Sequence, residues 1–117
     1  MQRFTHLDDL PGTAVSAVCF VMDYVEIHFH GPVLRCLAHP LLEQDGRQVR
    51  FPLPGSRDTL CSLIGTEVRA VRIQDDLSIE IDFVPDRRLI VPLTPAHRHA
   101  GEAAHFVPDA DQPIQVW

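Results

Sequence analysis

The sequence predicts a mainly β domain of two pseudo-equivalent antiparallel meanders, packed as a sandwich or closed as a barrel, with short helical turns. Three observations predict it: an internal duplication, strict apolar alternation in one long segment, and turn residues between short apolar runs. Residues 7–18 (LDDLPGTAVSAV) align without a gap on residues 60–71 (LCSLIGTEVRAV), at an offset of 53 and with seven of twelve positions identical. Farther on, Val25-Glu26-Ile27-His28-Phe29 aligns on Ile79-Glu80-Ile81-Asp82-Phe83 at 54, and His39-Pro40 on Thr94-Pro95 at 55. One residue of slippage per turn is what hairpin loops of unequal length produce. The repeats span about 7–51 and 60–117, joined by a Pro/Gly-containing linker at 52–59, within one domain covering 1–117.

Each half reads as a short helical turn followed by strands. In the second half Ser56 is expected to cap a turn that carries Leu60, Leu63 and Ile64 on one face, and Gly65 to stop it. Val68 to Ile73 follows, with Arg69 and Arg72 three apart, so the strand must change parity near Ala70; a β-bulge does that. Leu77 to Phe83 alternates Leu, Ile, Ile and Phe with Ser, Glu and Asp, the pattern of a half-buried antiparallel strand. After the turn Pro85-Asp86-Arg87-Arg88 comes Leu89 to Leu93, where Pro92 points to an edge strand. In the first half Asp45-Gly46 is a hairpin turn between residues 41–43 and 47–51. Residues 104–107 and 114–117 are the last strand candidates, and the terminal Trp117 is expected to tuck its ring into the core.

Composition narrows the function. The 117 residues are 45% apolar, enough for a core in one domain without metal or disulfide staples. The longest apolar run, Ala17 to Met22, is far short of a membrane span, and no apolar segment follows the Met1-Gln2-Arg3 start, so a cytoplasmic address away from membranes is expected. Ten Arg against 16 Asp and Glu give a net charge of −6, which disfavours nucleic acid. The chain has no Lys, which excludes Schiff-base chemistry and ordinary P-loops, and no Asn, which excludes N-glycosylation. Cys19, Cys36 and Cys61 lack zinc-ribbon or C-x-x-C spacing. Cys36 reads as a small buried hydrophobe, and no motif supports Cys61 as a nucleophile.

Seven His residues make the histidines the remaining chemical signal. On a strand His97 and His99 would face the same way, and Glu102 or His105 could supply a third ligand to a divalent metal. A second pair, His28 and His30, aligns with Asp82 and Val84, so position 28 reads as an outward polar site. Asp8-Asp9 and Asp75-Asp76 read as helix-start and hairpin-tip acids rather than as a catalytic pair. Nucleophile elbows and dinucleotide fingerprints are absent.

The second half resembles a family of small bacterial domains of unknown function, frequent in actinomycetes. The residues that carry the resemblance are Gly65-Thr66-Glu67-Val68, Leu77 to Phe83, Leu89-Ile90-Val91-Pro92, Glu102 to Phe106 and Gln115-Val116-Trp117. Val84-Pro85-Asp86 stands where the family has an Asp-Gly turn, and Ala104 where it has an aromatic. The resemblance implies a compact β-rich fold and brings no catalytic residue. The reading that follows is an acidic protein-binding module, inhibitor- or immunity-like, without catalytic residues or cofactor. Its alternatives are a metal-dependent enzyme or ligand binder at His97, His99, Glu102 and His105, and a structural homodimer joined through unprotected edge strands. Deleting Ile114 to Trp117 should cost several kcal/mol; an unchanged melting temperature in the truncated chain would refute the structural role of this segment.

Overall fold

The computed structural model describes residues 4–98, 100–109 and 112–117. It is mainly β, with two five-stranded antiparallel sheets packed face to face. In chain order the strands are β1 (Ala17–Val21), β2 (Tyr24–His28), β3 (Val33–Cys36), β4 (Leu41–Gln44), β5 (Arg47–Arg50), β6 (Val68–Gln74), β7 (Ser78–Phe83), β8 (Arg87–Pro92), β9 (Ala104–Val107) and β10 (Gln115–Val116). A short helix, α1 (Ser56–Cys61), precedes β6, and single 3-10 turns cover Leu7–Asp9 and Pro95–His97.

The two halves exchange hairpins. Sheet one runs β1-β2-β3-β9-β10, and sheet two runs β6-β7-β8-β4-β5. Each meander is thus completed by the hairpin of the other half, and advancing every strand by five turns one order into the other. Leu37 and Ala38 carry the chain from β3 across to sheet two, both donating their N–H to the carbonyl of Ala103.

A pseudo-twofold axis passes between Ala14 and Glu67, which are 53 apart and form an isolated bridge with each other. Around it the hydrogen bonds occur in equivalent pairs. Gly12 N–H donates to Val68 O at 2.9 Å, as Gly65 N–H donates to Val15 O at 2.8 Å. Val15 N–H donates to Thr66 O at 3.0 Å, as Val68 N–H donates to Thr13 O at 2.7 Å. Each repeat prepares its end in the same way, with Thr13 and Thr66 donating their hydroxyls to Leu10 O and Leu63 O. Gly12 and Gly65 then turn the chain at φ 93° and 88°, values that a side chain would resist. The Gly-Thr pair of the aligned segments is therefore backbone chemistry rather than a ligand loop.

The core repeats the duplication. Leu7 and Leu60, Leu10 and Leu63, Val15 and Val68, Ile27 and Ile81, Phe29 and Phe83, and Leu34 and Leu89 are equivalent pairs, and every member is buried. Such burial is worth roughly 1.5–3 kcal/mol per large side chain before entropy is subtracted.

The register bears out several sequence readings. The pairing of β6 with β7 slips between Val68 and Ala70, placing a bulge at Arg69. Asp45 and Gly46 both have positive φ, as a tight two-residue hairpin turn requires. Other readings are corrected. Strand β8 is the central strand of its sheet, not an edge. Pro92 is tolerated there because β4 pairs only as far as Ile90, so the missing N–H interrupts no bond on that side. Ser56 is the first residue of α1 rather than its cap; Gly55 holds that position, and the Ser56 hydroxyl is buried without a partner. Leu77 and Ile64 were expected inside, yet both are about half exposed, because each lies in a turn just beyond its element.

Strand pairing also relates the two ends of the exchanged hairpins. Leu41 pairs with Ile90 as His105 pairs with Arg35, and Leu41 pairs with Arg50 as His105 pairs with Val116. Phe51 and Trp117 therefore occupy equivalent places. Phe51 is buried, stacked on Phe20 at 5.8 Å, with the Arg57 guanidinium over both rings. Trp117 is only partly buried against the core, while its N–H and C=O pair with Ala104 and Ala103. Replacing Phe51 by Ala should cost about 3–5 kcal/mol, clearly more than Trp117→Ala. Denaturant unfolding of the two variants checks the order, and equal losses would contradict it.

Candidate functional site

The outer face of sheet two carries the densest polar chemistry of the described residues. Arg72 on β6 reaches across to β7, donating to Glu80 at 3.1 and 3.2 Å and to both carboxylate oxygens of Asp82 at 2.8 and 3.0 Å. Arg88 on β8 donates to Asp82 from the opposite side at 2.8 Å. Cross-strand register explains the convergence, since Arg72 faces Glu80 and Asp82 faces Arg88. The Arg72 hydrogen bonds, aided by Arg88, hold the Asp82 carboxyl below the usual carboxylate range despite partial burial. Asp82 in turn pushes Arg72 and Arg88 further toward the charged form.

Beyond this network, at the end of the sheet, lies a cleft of about 240 Å³. The end of the β4–β5 hairpin forms one wall, with Glu43 on β4 and Asp45 in the turn, and the end of the β7–β8 hairpin forms the other, with Asp86 in the turn and Arg87 and Arg88 on β8. Arg69, pushed outward by the bulge, also lines it. Its guanidinium donates to Pro85 O at 2.7 Å, and Arg87 donates to the carbonyl and hydroxyl of Ser62 at 2.8 and 2.7 Å. Both arginines thus tie the β7–β8 turn to its surroundings. The side chains of Asp45 and Asp86 are exposed and make no hydrogen bond or ion pair among the described residues. A second cleft of about 440 Å³ is lined by Gln44, Asp45, Arg47 and Val49 of the same hairpin and by Thr59 on α1.

The pseudo-twofold allows a comparison within one chain. The positions equivalent to Arg69, Arg87 and Arg88 are Ser16, Pro32 and Val33, and the one equivalent to Glu43 is Val107. None of them is charged. Asp45 corresponds to Asp109, whose carboxylate accepts the Phe4 N–H at 2.8 Å and pins the N-terminal segment. One copy of the position is closed by the chain itself, whereas the other carries charge and stays open. Pro85-Asp86-Arg87-Arg88 and Asp45-Gly46 had read only as turns; their meeting depends on the hairpin exchange, which the spacing of residues does not announce.

The histidine-centred set is distributed differently. His97 is exposed on its 3-10 turn and hydrogen-bonds Thr94 through Nδ1 at 2.8 Å. His99 lies outside the described residues. Glu102 and His105 meet through Oε2 and Nε2, but His97 does not join them, and among the described residues no group of three His, Cys, Asp or Glu is placed to hold a metal. His28 is outward, as its alignment with Asp82 suggested, and contacts Glu26, which also accepts from Arg35 at 3.1 Å. Cys36 is buried, and desolvation pushes its thiol up to about 12, so it is not a nucleophile. Cys61 is the last residue of α1 and exposed.

Asp8-Asp9 acts as the helix-start reading expects. The Asp9 carboxylate accepts the backbone N–H groups of Thr5 and His6, which hold it below the usual carboxylate range. For both Asp9 and Asp82 the folded state favours the ionised form. Their stabilisation is therefore complete above the ordinary carboxylate range and is lost as pH falls through the lowered values. Asp82→Asn should cost about 1 kcal/mol at neutral pH, because the network is partly solvated, and should flatten the decline of stability below about pH 4. Urea titrations at both pH values test this; an unchanged acid slope would remove Asp82 from the account. No family model, curated protein or solved structure matches the chain.

Proposed function

We propose that the chain is an acidic protein-binding module that receives a basic side chain of its partner in the cleft between the β4–β5 and β7–β8 turns. The observation that carries this reading is an asymmetry of engagement. The arginines of the cleft have acceptors within the chain, whereas Asp45 and Asp86, contributed by different halves, face the same space without a partner. Two carboxylates held on separate turns form a receptor for a guanidinium or ammonium group, and charge-assisted hydrogen bonds would fix its orientation. Arg69 and Arg87 serve as positioning residues by anchoring the turn that carries Asp86.

The net charge of −6 supports the same choice of partner. A basic protein would be drawn in over a Debye length and oriented before contact, the charge logic of inhibitors and immunity proteins for basic toxins. Native mass spectrometry of untagged chain purified from its own host should show a heterocomplex with a basic protein. The complex should weaken with salt and be lost in Asp45→Asn/Asp86→Asn, whose melting temperature stays within about 1–2 °C of the parent because exposed turn charges contribute little to stability. A complex indifferent to the double substitution, or no complex, would reject the reading.

A further inference from the structure

The pseudo-twofold provides an internal template for the second cleft. In the first repeat the space between the β9–β10 hairpin and the first 3-10 turn is closed by the segment that leads into that turn. Asp109 holds Phe4 by both polar groups of its backbone: the Asp109 carboxylate accepts the Phe4 N–H at 2.8 Å, and the Asp109 N–H donates to the Phe4 carbonyl at 3.3 Å. Three residues on, Leu7 donates its N–H to Oε1 of Gln115 on β10 at 2.7 Å. The Phe4 ring is partly buried against the core.

The second repeat keeps the frame of this arrangement but not the segment that closes it. Strand register makes Asp45 the counterpart of Asp109, Val49 of Gln115 and Arg47 of Pro113, while the offset of 53 makes Thr59 the counterpart of His6 and Arg57 of Phe4. Asp45, Arg47, Val49 and Thr59, together with Gln44, line the cleft of about 440 Å³. None of the closing bonds is repeated. Among the described residues Asp45 engages neither its carboxylate nor its N–H, and Val49 has no side-chain acceptor to match Gln115. Arg57, which stands for Phe4, is drawn elsewhere, because it belongs to α1 and its guanidinium lies 5.7 and 5.2 Å from the ring centres of Phe20 and Phe51. The chain's own counterpart of the closing residue is thus committed outside the cleft.

We infer that the second cleft binds an extended peptide segment of the partner protein, held by Asp45 through its backbone as Phe4 is held by Asp109. This inference rests on the protein-binding reading and adds how the partner's main chain is engaged. One residue of the segment donates its N–H to the Asp45 carboxylate and accepts the Asp45 N–H at its carbonyl. The two clefts do not compete for Asp45. Asp109 shows the division of labour: Oδ2 takes the Phe4 N–H, while Oδ1 lies beside Gly31 in the β2–β3 turn, the counterpart of the β7–β8 turn that walls the first cleft. Asp45 has one oxygen for each side in the same way. Arg47 is exposed, and its side chain makes no hydrogen bond or ion pair among the described residues, so it is free to donate to a further carbonyl of the segment. A second copy does not fit this role, since its Phe4 is already bound to its own Asp109 and its net charge of −6 repels the first.

The probe is acetyl-Phe-Thr-amide, the sequence of Phe4 and Thr5, titrated into the isotope-labelled full chain and followed by amide NMR. It should shift the amides of Asp45, Arg47 and Val49 saturably and leave those of Phe4 and Asp109 in place. The same dipeptide with its Phe nitrogen methylated has no N–H to donate and should not bind. Asp45→Gly suits the positive φ of 53° in that turn, removes the carboxylate and should raise the Kd about tenfold. Asp86→Asn should leave the Kd unchanged, because Asp86 lines the first cleft and not the second. The dipeptide carries no basic side chain, so a failed titration beside an intact heterocomplex rejects this inference alone, and a bound dipeptide without a heterocomplex rejects the basic partner. No saturable shift, shifts centred on Asp109, binding of the methylated dipeptide, or a Kd unmoved by Asp45→Gly would overturn the inference.

Discussion

The hydrogen bonds between residues 12–15 and 65–68 are the constraint on which the rest of the structure depends. They join the two repeats across their pseudo-twofold, and each donor and acceptor has its equivalent in the other half. Fixing these segments fixes where β1 and β6 diverge into separate sheets. The links after β3 (residues 37–40) and after β8 (residues 93–103) then carry the chain from one sheet to the other, so that each hairpin completes the opposite sheet. Neither half has a complete sheet alone, so the core forms only when both repeats are in place.

This coupling explains how one set of core residues can support unequal surfaces. The interior positions of both repeats answer to the same packing demand, and equivalent pairs such as Phe29 and Phe83 are buried alike. Outward positions answer to no such demand. There the repeats have diverged: Arg72, Asp82 and Arg88 on sheet two stand where Cys19, His28 and Val33 stand on sheet one. The charged cleft is one result of that divergence.

Much of the fold was legible in the sequence because it rests on short-range patterns. The alternation of residues 79–83, the Asp45-Gly46 turn and the parity change at Ala70 each state a local geometry. Strand order was not legible, because a β-hairpin reads the same whichever sheet it joins, and Pro92 misled for that reason. The candidate site was less legible still. Asp45 and Asp86 are 41 residues apart, and a single acid at a turn is an ordinary solvated charge. Only their meeting at one cleft distinguishes them, whereas the clustered histidines were conspicuous in the sequence and are not gathered into a three-ligand group among the described residues.

The central claim is that the two repeats form one cooperative unit closed across the pseudo-twofold. Native-state hydrogen exchange of the amides of Gly12, Val15, Gly65 and Val68 tests it most directly, because these are the four donors at the axis. The account predicts that all four exchange only through global unfolding, with the same opening free energy and the same denaturant dependence. Exchange of Gly12 and Gly65 through separate, smaller openings would contradict it, since each repeat would then be holding its own structure.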